Sequence, residues 1–263
     1  MKTRIITSIA ALALFIPVIV VGGWPLAMAV YLLSSIALFE LLRMKHIPFY
    51  SIPSVLSFLL LWILIYPKES GHDMLFILED KTGFLFFAAI IMLAYTVFSK
   101  NRFTIDEAGF IMIAVLYVGC GFYYFLEMRR LGLEELFFAL LSIWTTDTGA
   151  YFVGKSIGKK KLLPEISPNK TVEGLIGGIL SAVAMAIIFQ YFTNFLSSYT
   201  VAFIAAVFVS IFGQLGDLVE SAFKRHYGVK DSGAIFPGHG GVLDRFDSLL
   251  FILPILYFLI HVL

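Results

Sequence analysis

Residues 171–193 read TVEGLIGGILSAVAMAIIFQYFT, and Glu173 is the only charged residue in this stretch. An α-helix needs about 20 mostly apolar residues to cross the hydrocarbon core of a bilayer, and this segment meets that requirement. Backbone polar groups in lipid must be hydrogen-bonded internally, which only helices and closed barrels achieve. The stretch therefore predicts a membrane-spanning helix and an all-α fold.

The composition of the whole chain agrees with a membrane location. Of its 263 residues, 60% are hydrophobic and 14% are charged, whereas a soluble domain has roughly 45–50% apolar residues. A soluble protein of this size has too little interior to bury so much apolar surface. The net charge of +1 does not indicate a nucleic-acid partner, and we expect none. The single cysteine, Cys120, lies in an apolar run and is interpreted as a packing residue.

Similar apolar segments precede and follow this one along the chain. The candidate spans are 5–22, 24–42, 52–67, 82–99, 107–126, 133–153, 171–193, 199–219 and 248–263. The first resembles a secretory signal peptide, but its apolar run of about 17 residues exceeds the usual length and further spans follow. We therefore expect a polytopic integral membrane protein with about nine transmembrane helices.

The positions of the lysines and arginines predict the orientation of these helices. With the N-terminus in the cytosol, 15 of the 19 lysines and arginines lie on the cytosolic side, and only Lys68, Lys81, Arg129 and Arg130 lie outside. Such an excess of positive charge is typical of cytosolic loops. The chain is predicted to begin in the cytosol and to end outside.

The polar residues divide the chain unequally. Residues 1–130 hold five spans joined mostly by short loops, whereas residues 131–263 hold four spans and two long basic loops, 154–170 and 220–247. We predict an N-terminal membrane region and a C-terminal catalytic region.

Glu40 is the one ionisable group within an apolar run of the first region. Its position shortly before Arg43 and Lys45 predicts an interfacial ion pair.

Two aspartates near predicted spans also need an explanation, because a carboxylate at the bilayer centre costs about 2.5–3.5 kcal/mol. Asp147 lies among threonines in WTTDTGAYFVGK, and Asp217 ends a span in GQLGDLVES. Both are predicted to face a polar cavity. Helix capping or hydrogen bonding between helices is the alternative for each.

The loop that follows Asp217 is rich in charge. Residues 221–247 read SAFKRHYGVKDSGAIFPGHGGVLDRFD, in which the proline and glycines prevent a continuous helix and leave backbone N–H groups available to an anion. Asp244 and Asp247 share one face if a helix begins there. Together with Asp217 they predict a carboxylate cluster that Mg²⁺ would neutralise, since Mg²⁺ prefers carboxylate and phosphate oxygens. A solvated loop with mutually paired charges is the alternative.

The loop before the 171–193 span is also basic. Its sequence GKSIGKKKLLPEISPNKTVEG does not form a phosphate-binding P-loop, because the glycine spacing is short and no Ser or Thr follows Lys159. The run Lys159–Lys161 either determines topology or attracts anionic lipid. Residues 167–171, SPNKT, are interpreted as a polar entry to the next helix, with Glu173 in its first turn.

Residues 221–247 resemble, position for position, the signature of the phosphatidate cytidylyltransferases, also called CDP-diacylglycerol synthases. That signature runs Ser-x-x-Lys-Arg, four residues, Lys-Asp, a proline two residues before His-Gly-Gly, and Asp-Arg-x-Asp, and every fixed position is present here. Residues 147–151, 167–171 and 216–221 also look like the family. Lys155 and Val172 depart from it, because the family usually has Arg and an aromatic residue there. Lys155 keeps the charge but loses the bidentate fork of Arg.

The resemblance implies transfer of the cytidylyl group of CTP to phosphatidate, giving CDP-diacylglycerol and pyrophosphate for phospholipid biosynthesis. It implies that Mg²⁺ is held by Asp217, Asp244 and Asp247, and it leaves a second cation open, with a monovalent ion as one candidate. The implied catalytic residues are Asp217, Asp244, Asp247, Lys224, Arg245 and His239. The implied phosphate-binding residues are Lys170, Ser167, Lys224, Arg225, Lys230, Arg245 and Asp147. A homodimer in the bacterial cytoplasmic (inner) membrane, with its active site facing the cytosol, is also expected.

Two other classes of function remain open. A CTP-dependent enzyme acting on another lipid, such as a polyprenol kinase or a CDP-archaeol synthase, would share the nucleotide and metal groups. A transporter would use Asp147 and Asp217 as a cation path through the membrane. Transporters often have broken helices in two related halves, whereas the polar residues here concentrate in the last four spans.

Overall fold

The structure is a computed structural model that describes residues 2–67, 81–236, 238 and 240–262. Every predicted apolar segment coincides with a helix in this part of the chain. The helices are α1 (Lys2–Val21), α2 (Gly23–Met44), α3 (Ile52–Ile65), α4 (Lys81–Phe98), α5 (Ile105–Leu131), α6 (Leu133–Ile157), α7 (Val172–Thr193), α8 (Tyr199–His226) and α9 (Leu243–Val262).

Among the described residues, six helices, α2 and α4 to α8, are long and apolar enough to cross a membrane. The predicted helical, polytopic membrane fold is confirmed at this level. The crossing of the membrane by all nine segments, and the orientation of the termini, stay predictions.

The chain divides into two compact units. One, here the N-terminal unit, comprises Met1–Leu126 and Ser232–Val242; the other, the C-terminal unit, comprises Glu127–Asp231 and Leu243–Leu263. The predicted division at residue 130 concerns where catalysis takes place, and it stays a prediction.

In the C-terminal unit, α6 and α7 pack through glycines. A Cβ added at Gly149 would lie 2.9 Å from the Gly177 carbonyl oxygen, and one at Gly178 would lie 3.0 Å from the Thr146 carbonyl oxygen. One added at Gly174 would lie 2.9 Å from the Ala150 carbonyl oxygen. Membrane helices associate through such small residues, because the hydrophobic effect does not drive helices together in lipid. Close approach of the backbones provides van der Waals packing instead.

A short antiparallel hairpin precedes α7, inside the predicted loop 154–170. It consists of β1 (Lys161–Leu163) and β2 (Ser167–Thr171), with Lys161 opposite Thr171 and Leu163 opposite Ser167. The sequence did not predict it, because the strand SPNKT is polar and lacks the apolar alternation that marks most strands. The expected polar entry to α7 is present: the Thr171 hydroxyl caps the helix by accepting from the Gly174 N–H at 3.1 Å.

In the N-terminal unit, polar side chains link neighbouring helices. The Trp62 indole of α3 donates to the Ser35 hydroxyl of α2 at 2.9 Å, and the Tyr31 hydroxyl donates to the Trp62 carbonyl at 3.3 Å. Lys81, at the start of α4, donates to the Leu64 carbonyl at 2.8 Å and lies 3.4 Å from the centre of the Tyr123 ring. These contacts tie α2 to α3, and α3 and α5 to α4.

Candidate active site

The first predicted pair of site residues lies between β2 and α8. The Lys170 ammonium, near the end of β2, is 2.7 Å from Oδ2 of Asp217, and both side chains are partly exposed. Lys170 also donates to the Gln214 carbonyl at 3.4 Å. The Ser221 hydroxyl, one turn after Asp217 on α8, donates to its Oδ1 at 3.2 Å. The hairpin thus places a cation on the carboxylate that the sequence singled out.

The second group lies one turn further along α8. Lys224 is paired with Oδ1 of Asp244 at 2.7 Å and with Glu220, and the side chains of both acids are buried. Apart from this ion pair, neither carboxylate oxygen of Glu220 has a hydrogen-bond partner among the described residues. One lysine therefore neutralises two buried acids, and it links the C-terminal part of α8 to the start of α9.

Gly216 allows α8 and α9 to approach closely beside these pairs. A Cβ at this position would lie 3.0 Å from the Asp247 carbonyl oxygen and 2.7 Å from Cβ of Phe251. Asp247 consequently lies near Asp217, with which it interacts electrostatically, and its Oδ1 accepts from the Ser248 N–H at 2.7 Å. Asp147 on α6 interacts electrostatically with both Asp217 and Asp247. Three predicted aspartates from three helices are thus neighbours.

The remaining predicted cationic residues differ in their exposure and in their distance from these aspartates. Arg225 donates through Nε to the Ile166 carbonyl at 3.2 Å and so fastens the turn of the hairpin to α8. Arg245 is exposed at the start of α9 and within electrostatic range of Asp147. Lys230 is exposed in the segment after α8, and Ser167 begins β2. His239 lies outside the described residues.

The arrangement can be compared with the needs of a divalent cation. Within the described ranges, no group of three or more histidine, cysteine, aspartate or glutamate side chains is arranged to hold a metal ion. Mg²⁺ usually keeps several waters and takes only one or two protein carboxylates plus substrate phosphates. Asp217 and Asp244 are each paired with a lysine, but the side chain of Asp217 is partly exposed whereas that of Asp244 is buried. Asp217, together with its neighbour Asp247, therefore fits that smaller set better than Asp244. The three-aspartate site stays a prediction.

The comparisons with known proteins agree with this chemistry. A model of the cytidylyltransferase family matches residues 2–263. The chain belongs to the cytidylyltransferase family. It is 51% identical, over 266 residues, to a Bacillus subtilis (strain 168) protein named phosphatidate cytidylyltransferase, and the match covers 99% of this chain and 97% of the relative. A Staphylococcus epidermidis protein and a Staphylococcus aureus protein of the same name are 48% and 47% identical over 260 residues, with 99% of each chain covered.

This membership confirms the family that the sequence signature predicted. The roles assigned to individual residues of this cytidylyltransferase stay predictions.

The sequence analysis assigned no role to Glu220, although it lies three residues after Asp217 on α8 and is completely buried. Gln214 was also passed over; its amide donates to the Ser210 and Leu175 carbonyls and supports the turn of α8 that Lys170 contacts. A polar residue recurring every three or four positions along an apolar helix was the available signal.

Proposed function

We propose that this chain transfers the cytidylyl group of CTP to phosphatidate, forming CDP-diacylglycerol and releasing pyrophosphate. The observation that carries the proposal is near-complete coverage, at about half identity, by relatives named phosphatidate cytidylyltransferase. The geometry fits this reaction, because lysines and carboxylates from β2, α8 and α9 meet in one region.

In this reaction a phosphate oxygen of phosphatidate attacks the α-phosphorus of CTP. The bond from the α-phosphorus to the bridging oxygen breaks, and that oxygen leaves with pyrophosphate. The attacking oxygen already carries negative charge, so the protein needs neither a nucleophile nor a base to deprotonate it. What the protein supplies is positioning and neutralisation of charge.

The lysines supply both. Lys170 and Lys224 each have one carboxylate partner on α8, and the ammonium group can donate up to three hydrogen bonds. Lys170 also donates to the Gln214 carbonyl, and Lys224 is also paired with Asp244, so each lysine has one donor left for a phosphate oxygen. Arg225, Lys230 and Arg245 would supply further donors. Glu220 and Asp244 hold Lys224 in place, since a partly buried ammonium would otherwise lose hydration without compensation.

Asp217 and Asp247 would hold Mg²⁺. When bound, the ion would neutralise the phosphates of CTP and the charge that develops on pyrophosphate. Asp147, on the neighbouring α6, adds a third negative charge near this position. Asp244 would be a third ligand of this ion. A second cation would bind nearby.

We also infer the setting of the enzyme. Nine spans with a cytosolic N-terminus would place residues 154–170 and 220–247 in the cytosol, where CTP is available. The membrane would be the cytoplasmic (inner) membrane of a bacterium, the catalytic region would be residues 131–263, and the enzyme would act as a homodimer.

The position of a radioactive label tests the reaction. Purified protein is incubated with phosphatidate, Mg²⁺ and CTP labelled at either the α- or the γ-phosphate. We expect the α-label to enter the organic phase as CDP-diacylglycerol and the γ-label to stay in water as pyrophosphate. A γ-label in the lipid would identify a lipid kinase, and replacement of phosphatidate by polyprenol or an archaeal ether lipid tests the other rivals.

Accessibility to an impermeant thiol reagent tests the orientation. In a Cys120→Ala background, single cysteines at positions 160 and 235 should be protected in intact cells, and one at position 72 should react. Labelling of position 235 from outside would overturn the nine-span arrangement.

A further inference from the structure

Glu40, near the C-terminal end of α2, is a buried carboxylate without an assigned role. Its residue is 2% exposed, and it lies in the N-terminal unit, outside the region where the signature lies. A buried carboxylate is costly unless hydrogen bonds or opposite charges compensate for its lost hydration. The groups that surround it therefore show what it stabilises.

Both oxygens of Glu40 bind the segment 232–242, which belongs to the same unit. Oε2 accepts from the Ser232 hydroxyl at 2.9 Å, and Oε1 accepts from the Val242 backbone N–H at 2.9 Å. These partners are 192 and 202 residues away along the chain. The interfacial ion pair of Glu40 with Arg43 and Lys45 stays a prediction and is compatible with these bonds.

The two partners are the first and last residues of the segment. Gly233 and Gly241, the next residues inward, lie directly against the Glu40 carboxylate, and a side chain at either position would collide with it. A Cβ at Gly233 would also lie 3.1 Å from Cα of Gly241. Both ends of the segment thus meet at one carboxylate, and the glycines make that approach possible.

Between its ends the segment folds into a tight turn. The Phe236 N–H donates to the Gly240 carbonyl at 3.0 Å, and Gly238 and Gly240 adopt φ of 76° and 84°. Left-handed φ values of this kind favour glycine. His239, the predicted catalytic histidine, belongs to this stretch of sequence but lies outside the described residues.

We propose that Glu40 is a positioning residue for the cytidylyl transfer, acting by fixing both ends of the segment 232–242. The chain enters this segment directly after Asp231 and leaves it directly before Leu243 and Asp244. A fixed Val242 limits the conformations open to the backbone two residues later, at Asp244. The role in catalysis rests on the proposed function, whereas the fixing of the segment does not.

Hydrogen exchange and kinetics of the same variants test the proposal. Glu40→Ala leaves the Ser232 hydroxyl and the Val242 N–H without their acceptor. We expect amide exchange in residues 232–242 to rise about 10-fold and kcat to fall about 10- to 100-fold. The KM for CTP should change by less than about 3-fold, because phosphate-binding lysines are untouched.

Glu40→Gln is the conservative variant. Its amide oxygen can accept from Val242 and its NH₂ group can donate to the Ser232 oxygen, so exchange and kcat should stay within about 3-fold of the parent. Ser34→Ala is the matched control, because Ser34 is also buried on α2 but, among the described residues, its hydroxyl bonds only to the Tyr31 carbonyl of its own helix. It should leave exchange in 232–242 unchanged.

Normal exchange and normal kcat in Glu40→Ala would overturn the proposal. Raised exchange with normal kcat would overturn the catalytic role alone. If Glu40→Ala does not fold, Ser232→Ala removes one of the two bonds without altering α2, and unchanged exchange in that variant would also refute the anchoring. Should the parent make no CDP-diacylglycerol, the proposed function fails while the exchange result still decides the anchoring.

Discussion

The two units of the chain stabilise their carboxylates in different ways. In the C-terminal unit, Asp217, Glu220 and Asp244 are paired with lysines. In the N-terminal unit, Glu40 is bound by a neutral hydroxyl and a backbone N–H. A lysine can be exchanged for a metal ion or turned toward a phosphate, whereas backbone donors are fixed by the fold. The lysine-paired acids can therefore change partners during a reaction, whereas Glu40 is suited to fixing the position of a backbone segment.

The largest loss of turnover is expected at the acids of the C-terminal unit that are proposed to bind Mg²⁺. Asp217→Asn and Asp247→Asn each remove a charge from the proposed Mg²⁺ site, and turnover should fall by about 10²- to 10³-fold. The protein should still insert and purify, because the asparagine keeps the volume. Asp106→Asn, an exposed acid in the first turn of α5, is the control and should keep parental turnover. Activity within a few-fold of the parent in both site variants would remove these aspartates from the reaction.

The next effect distinguishes the two lysines. Lys224→Met leaves Glu220 and Asp244 buried without their cation, which should destabilise the protein by about 3 kcal/mol or more. Lys170→Met breaks a partly exposed pair and should cost about 1 kcal/mol or less. Thermal midpoints in detergent measure the difference, and both variants should lose activity. Equal midpoints would contradict the structural role of the buried pair.

A double substitution sharpens this result. Glu220→Gln should partly restore the midpoint of Lys224→Met, because it removes one of the two unpaired charges. It should leave the lost activity unrecovered. Recovery of both would assign Lys224 a structural role only.

The smallest effect is expected at Asp231. It is exposed, adjacent to Lys230, and at the point where the chain passes into the segment 232–242. Asp231→Asn should reduce turnover by only a few-fold, which the labelled-CTP assay would measure. A loss as large as that of Asp217→Asn would move Asp231 into the reacting group.

The helices were predictable from sequence because each is a long apolar run bounded by polar residues. The signature also brought Asp217, Lys224 and Asp244 to attention before their contacts were known. The hairpin 161–171 was not predictable, since β1 has only three residues and β2 is polar. The Thr171 cap of α7 and the bond from Arg225 to the Ile166 carbonyl hold it in place. The partners of Glu40 were not predictable either, because nearby Arg43 and Lys45 offered a local explanation.

The glycine packing of α6 against α7 has a consequence for the lipid substrate. Carbonyl oxygens of one helix lie against glycines of the other at Gly149, Gly174 and Gly178, so no acyl chain can pass between these two helices along that interface. If Lys170 and Asp217 bind the headgroup as proposed, the hydrocarbon tails of phosphatidate would have to lie on another side of α6 and α7. The α6–α7 interface would thus close one of the routes by which the lipid could reach the site from the bilayer.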